Sequence, residues 1–149
     1  MTLAPGDPAP DFELPDQTGT PRRLSTLLAD GPVVLFWYPA AMTTGCTKEA
    51  CHFRDIAAEF EAVGAQRVGI SADPPEKQAE FDAKHDLGYP LLSDADKSVA
   101  KAYGVKRSLL PMNKRVTFVI GTDGNLVEVI ASETNMDVHA DKALAALAA

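Results

Sequence analysis

The chain has 149 residues, 46% apolar and 23% charged, and carries a formal charge of −7. That length suits a single domain over residues 1–149 with its own core, and the acidic balance disfavours nucleic acid and anionic lipid as partners. No apolar run approaches the roughly 18 residues of a membrane-spanning helix. The start "MTLAPGDPAPDFELP" lacks the basic and apolar regions of a secretory leader, so the expected address is the cytoplasm.

In chain order, "DQTGTPRRL" reads as a turn leading into a short strand, with Ser25 placed to cap a brief helical turn through Leu27 and Leu28. "PVVLFWY" (Pro32 to Tyr38) is a continuous β-branched and aromatic run, the pattern of a central strand buried on both faces. A helix is expected from Thr44 to Gly64, then a second buried strand, "AQRVGIS". "PPEKQAEFDAKHD" reads as a helix opened by proline, "YPLLSD" as a short strand, and "ADKSVAKAYG" as a helix ended by Gly104. "RVTFVIGTDGNLVEVIA" predicts a hairpin turning at Thr122 to Asn125, and "DVHADKALAALAA" a terminal helix.

Strand–helix alternation closed by a hairpin predicts a parallel core extended by antiparallel strands. The fold class expected is α/β and thioredoxin-like, a mixed central sheet flanked by helices with an N-terminal hairpin extension. A doubly wound flavodoxin-like fold is the alternative, but it would not end in a hairpin. No glycine-rich phosphate loop follows any predicted strand, so no nucleotide cofactor is expected.

The only cysteines, Cys46 and Cys51, stand in "GCTKEACHFRD". At 100° per residue, Cys46 shares within roughly 40° the stripe of Ala50, Phe53, Ala57 and Phe60, while Cys51 points about 140° away. With Thr43 or Thr44 as N-cap, Cys46 falls in the first turn, among unpaired N–H groups at the positive end of the helix dipole. Both favour thiolate over thiol. On an intact helix, residues five apart have Cα atoms roughly 8.5 Å from each other. A disulfide needs less than about 7 Å, so the pair can join only if the helix start unwinds. Inert core thiols are the plain alternative. A metal on Cys46, Cys51 and His52 is not expected, because the spacing suits no zinc site, and the CxxC of a dithiol oxidoreductase is absent.

The run Pro39-Ala40-Ala41-Met42-Thr43-Thr44-Gly45-Cys46 resembles the P-x-x-x-T-x-x-C pattern of the peroxiredoxins. Its continuation, with a second cysteine five residues on, is similar to the bacterioferritin comigratory protein or peroxiredoxin Q subfamily. "KRVTFVIGTDG" resembles the strand on which that family carries its arginine, here Arg115, and the opening "GDPAPDFELPDQTG" is similar as well.

The resemblance implies a thiol peroxidase acting on hydrogen peroxide and organic hydroperoxides without a cofactor or metal. Cys46 would be the peroxidatic cysteine, forming a sulfenic acid that Cys51 resolves as an intramolecular disulfide. Thioredoxin or a similar dithiol protein would be the reductant. Thr43 would set its hydroxyl between thiolate and peroxide, Pro39 would shield the sulfur, and Arg115 would hold both sulfur and peroxide oxygen. Each has a plainer reading: Thr43 as a helix cap, Pro39 as a strand end, Arg115 as a solvated edge residue like Lys114 or Arg107. Glu49 is a candidate to orient Arg115 or an ordinary surface residue. His52, His85 and His139 are expected to be exposed, and Trp37 and Tyr38 to line the core or the pocket. Where relatives often carry charged residues after the proline, this chain has Ala40, Ala41 and Met42. Together with Leu109, Leu110 and Met112, Met42 would make an apolar mouth or simply pack as loop. A monomer is expected. The Gly-Gly-Leu-Gly and C-terminal Tyr-Phe elements of peroxide-sensitive relatives are not found, which implies resistance to overoxidation. The alternative function is a peroxide sensor that uses the same Cys46–Cys51 switch to bind a partner.

Overall fold

The computed structural model describes residues 3–148. An antiparallel hairpin, β1 (Glu13–Pro15) and β2 (Pro21–Arg23), comes first. Asp16 closes its turn, accepting the Thr18 and Thr20 N–H groups, the Thr18 hydroxyl and the Arg22 Nε. Burial alone would raise the Asp16 pKa, but these hydrogen bonds outweigh it and hold the carboxyl below its usual range. Helix α1 (Leu24–Leu27) follows and runs into a 3₁₀ turn at Leu28–Asp30. The sequence suggested Ser25 as its cap, but Ser25 does not cap it. Ser25 sits inside the first turn and gives its N–H and hydroxyl to the Asp11 carboxylate, so the cap comes from fourteen residues upstream.

Strand β3 (Val33–Trp37) is buried along its whole length at the centre of a five-stranded sheet. The strand order is β5-β4-β3-β6-β7, with β4 Gln66–Ser71, β5 Leu91–Ser93, β6 Val116–Ile120 and β7 Leu126–Ala131. β3, β4 and β5 are parallel, while β6 and β7 run antiparallel. The alternation of β3 side chains divides the interior. Val33, Leu35 and Trp37 face one core with Val68, Ile70, Tyr103, Phe118 and Ile120. Val34, Phe36 and Tyr38 face the other with Cys46, Ala50, Phe53, Phe81 and Ala140, and Phe36 stacks on Phe53 at 4.2 Å. The candidate site belongs to this second core.

The helix expected from Thr44 to Gly64 is two: α2 (Thr44–Asp55) and α3 (Ala57–Ala62), broken at Ile56 (φ −106°, ψ 32°). Arg67 of β4 donates to the Phe53 carbonyl at 2.9 Å, the acceptor that residue 57 would use to continue the helix. Helices α4 (Pro75–His85) and α5 (Ser98–Ala102) carry the crossovers that lead into and away from β5. Gly124, at φ +84°, supplies the left-handed turn of the β6–β7 hairpin, where a β-carbon would be strained. Helix α6 (Asp137–Ala148) packs on α2, β6 and β7. Among the described residues no helix is long and apolar enough to cross a membrane.

Candidate active site

β3 delivers the chain through Tyr38 and Pro39 into a short loop that ends at α2. The Ala41 N–H donates to Asp73 at 2.7 Å, and Ser71 at the end of β4 donates to the same carboxylate, so the loop is tied to the sheet. Met42 sits at φ +69°, a conformation that costs a non-glycine residue about 1–2 kcal/mol. Thr43 is the N-cap residue by backbone angles (φ −83°, ψ 157°), but its side chain caps nothing. Its hydroxyl donates back to the Ala40 carbonyl at 2.8 Å and does not reach the sulfur. The amides at the positive end of α2 are therefore left without a side-chain cap beside Cys46, which lies in the first turn and is 1% exposed.

Arg115, the residue before β6, is buried and projects to this helix end. Its Nη2 donates to the Cys46 sulfur at 3.4 Å and its Nη1 to Glu49 Oε1 at 2.8 Å. Its backbone N–H donates to Glu133 at 3.0 Å, and Arg107 pairs with that same carboxylate at 3.1 Å. Arg107 thus steadies the strand entrance and does not touch the sulfur, and Lys114 is exposed. Glu49 is fully buried. Burial pushes its carboxyl up to about 8 despite the opposing pull of Arg115. For Arg115, burial works against the charge, but Glu49 and Cys46 outweigh it and raise the pKa.

Gly45 explains how closely these groups pack. A β-carbon there would lie 3.2 Å from Met136 Cε and 3.3 Å from Arg115 Nη2. Met136 thus covers the helix start, a role with no signal in the sequence. His139 also differs from expectation. His52 and His85 are partly exposed, but His139 is wholly buried behind Glu49. Its place four residues before the buried Ala143 was the available clue. Leu109 and Leu110 line a surface depression with Lys106, Arg107, Ser108 and Lys114 that neither Met112 nor Met42 joins, and Met42 packs against the second core, so the four form no common mouth. Cys51 lies half-buried on the flank of α2, and both thiols are free. Pro39 is partly buried, immediately after Tyr38. Among the described residues, no group of three or more His, Cys, Asp or Glu side chains is placed to hold a metal ion.

A thioredoxin-like sheet with a buried cysteine at a helix start, held by a guanidinium, is the architecture of a thiol peroxidase. The AhpC/TSA family matches residues 5–129. A putative peroxiredoxin of Mycobacterium tuberculosis is 66% identical over 148 residues, covering 97% of this chain and 96% of its own. The crystal structure of the M. tuberculosis peroxidoxin BcpB superposes with a TM-score of 0.94 at 64% identity, over 98% of this chain and 97% of that one. A Xanthomonas campestris bacterioferritin comigratory protein, studied for alkyl peroxide reduction, does so at 0.83 and 30% identity, over 92% and 90%. The chain belongs to the AhpC/TSA family and is a peroxiredoxin of the bacterioferritin comigratory type, a peroxidase.

Proposed function

We propose that Cys46 is the peroxidatic cysteine and Cys51 its resolving partner in the reduction of hydrogen peroxide and organic hydroperoxides, with thioredoxin or a similar dithiol protein as reductant. The observation that carries this reading is the 3.4 Å approach of Arg115 Nη2 to the Cys46 sulfur at the uncapped start of α2. The thiolate attacks one peroxide oxygen: the S–O bond forms, the O–O bond breaks, and the leaving alkoxide or hydroxide takes a proton from water. Negative charge grows on that oxygen in the transition state, where the guanidinium and the helix-start amides are already fixed. Thr43 joins them by turning its hydroxyl from the Ala40 carbonyl toward the substrate, and Pro39 limits access of water to the sulfur.

Cys51 sulfur then attacks the sulfenic sulfur and water leaves, closing the disulfide. Both cysteines stand on the continuous helix α2, so its first turns must unwind before the sulfurs meet. Two electrons from the reductant dithiol reopen the disulfide. Steady peroxide consumption with thioredoxin and its reductase tests the scheme. Cys46→Ser should abolish it, and Cys51→Ser should stop after one turnover with sulfenic acid on Cys46. Slow oxidation without turnover would favour a sensor instead.

A further inference from the structure

Behind the guanidinium lies a buried polar pair that peroxide never touches. His139 of α6 donates from Nε2 to the Ser132 carbonyl at 2.8 Å. A carbonyl only accepts, so the proton of the neutral ring is on Nε2, and Nδ1 presents a lone pair. Nδ1 lies 2.8 Å from the Thr117 hydroxyl and 3.6 Å from Glu49 Oε2. That oxygen is buried and has no hydrogen-bond partner, although Oε1 of the same carboxyl holds Arg115. With Nε2 protonated, Nδ1 accepts from the Thr117 hydroxyl, which leaves Oε2 bare in a dry interior; that is unfavourable, and one proton repairs it. On Oε2 the proton neutralises the carboxyl beside the ring. On Nδ1 it makes an imidazolium 3.6 Å from the carboxylate, and the Thr117 hydroxyl rotates to accept.

We propose that His139 is a positioning residue for peroxide reduction: it shares one buried proton with Glu49, so that the Cys46 sulfur, not the carboxylate, balances the charge of Arg115. The inference rests on the reading of Cys46 as the attacking thiolate. A thiolate, a guanidinium and a neutral Glu49–His139 pair carry no net charge in the pocket. With a bare carboxylate the same pocket would hold an uncompensated negative charge. Other charged groups act on the pair: Arg115 ahead of β6 and Glu133 beyond β7 on both members, and the buried Tyr89, whose hydroxyl donates to the Ala50 carbonyl, on Glu49; Cys46 is reached only through Arg115. The upward push that burial gives Glu49 and the downward push it gives His139 accord with a pair that takes up one proton and not two.

The test reads the thiolate fraction of Cys46 from its alkylation rate against pH, in a Cys51→Ser background. His139→Leu removes one of the two sites that share the proton, so the pair holds it less tightly and the carboxylate competes with the sulfur for Arg115. The thiolate fraction at neutral pH should then fall about tenfold, equivalent to one pKa unit, and the pH profile of the peroxide reaction should move in the alkaline direction. His139→Asn, which sets an acceptor oxygen near the place of Nδ1, should restore most of the loss. Equal thiolate fractions in all three proteins, or equal losses in the Leu and Asn variants, would overturn the proposal. A second arm needs neither turnover nor a folded His139 variant, so its failure is distinct from failure of the peroxidase reading. At neutral pH the wild-type protein must show either a protonated Glu49 carboxyl by infrared, absent in Glu49→Gln, or an imidazolium at His139 by nitrogen NMR. Finding neither would overturn the proposal.

Discussion

Gly45→Ala should separate stability from activity. The residue lies within α2, where alanine is favoured over glycine by up to about 1 kcal/mol. The new methyl would stand 3.2 Å from Met136 Cε and 3.3 Å from Arg115 Nη2, so both must give by a few tenths of an ångström. Met136 yields easily, being the end of a flexible side chain. Arg115 does not, because Glu49 holds it at 2.8 Å on one side and the sulfur at 3.4 Å on the other. A misplacement near 1 Å costs about a hundredfold in rate, so a shift of a few tenths is worth roughly three- to tenfold. Thermal melts and stopped-flow peroxide kinetics measure the two effects side by side. Expected are an unchanged or higher melting temperature and a three- to tenfold lower kcat/KM. A variant with the wild-type rate would show that the position of Arg115 does not set the chemistry.

Arg115→Met should lower kcat/KM by roughly a hundred- to a thousandfold, the usual effect of deleting a preorganised donor; a loss under tenfold in a folded variant would remove Arg115 from the mechanism. Glu49 makes stability depend on pH. Its folded pKa of about 8 lies above the ordinary value of 4.5, so between those limits the folded state binds more protons than the unfolded one. Its contribution is therefore most favourable below about 4.5, is lost as pH rises toward 8, and is flat beyond. Glu49→Gln should gain on wild type across that window in urea denaturation, by an amount on the order of a few kcal/mol; parallel curves would contradict a buried, proton-binding carboxyl. Asp16 acts in the opposite sense. Its depressed folded pKa contributes stability above the unfolded value that disappears as pH falls through the folded one, so Asp16→Asn should flatten the acid limb of unfolding. Overoxidation should be slow: repeated turnover at sub-millimolar peroxide should leave little sulfinic acid on Cys46 by mass spectrometry, and rapid accumulation would show that resolution by Cys51 is inefficient.

What could be read in advance followed local physics. The unbroken apolar run of β3, the glycine turn at Gly124 and the position of Cys46 in the first turn of α2 depend on neighbours in sequence, and each was visible there. Arg115 was visible through family resemblance, since nothing local distinguishes it from Lys114. The misreadings arose where a distant group decides the outcome. Asp11 caps the turn assigned to Ser25, and Arg67 takes the Phe53 carbonyl and ends α2. Glu49 stood open between orienting Arg115 and lying at the surface; it is buried because Arg115 arrives to meet it. His139 follows Glu49 inward, and Met136 is admitted by the missing β-carbon of Gly45.

The most direct test is to treat the reduced protein with one equivalent of peroxide, then follow its mass and amide hydrogen exchange over Thr44 to Cys51. The expected result is loss of two hydrogens as a Cys46–Cys51 disulfide, with protection of the first turns of α2 lost at the same rate and regained on reduction by dithiol. An unreacted Cys46, or a disulfide that forms while those amides stay protected, would contradict it.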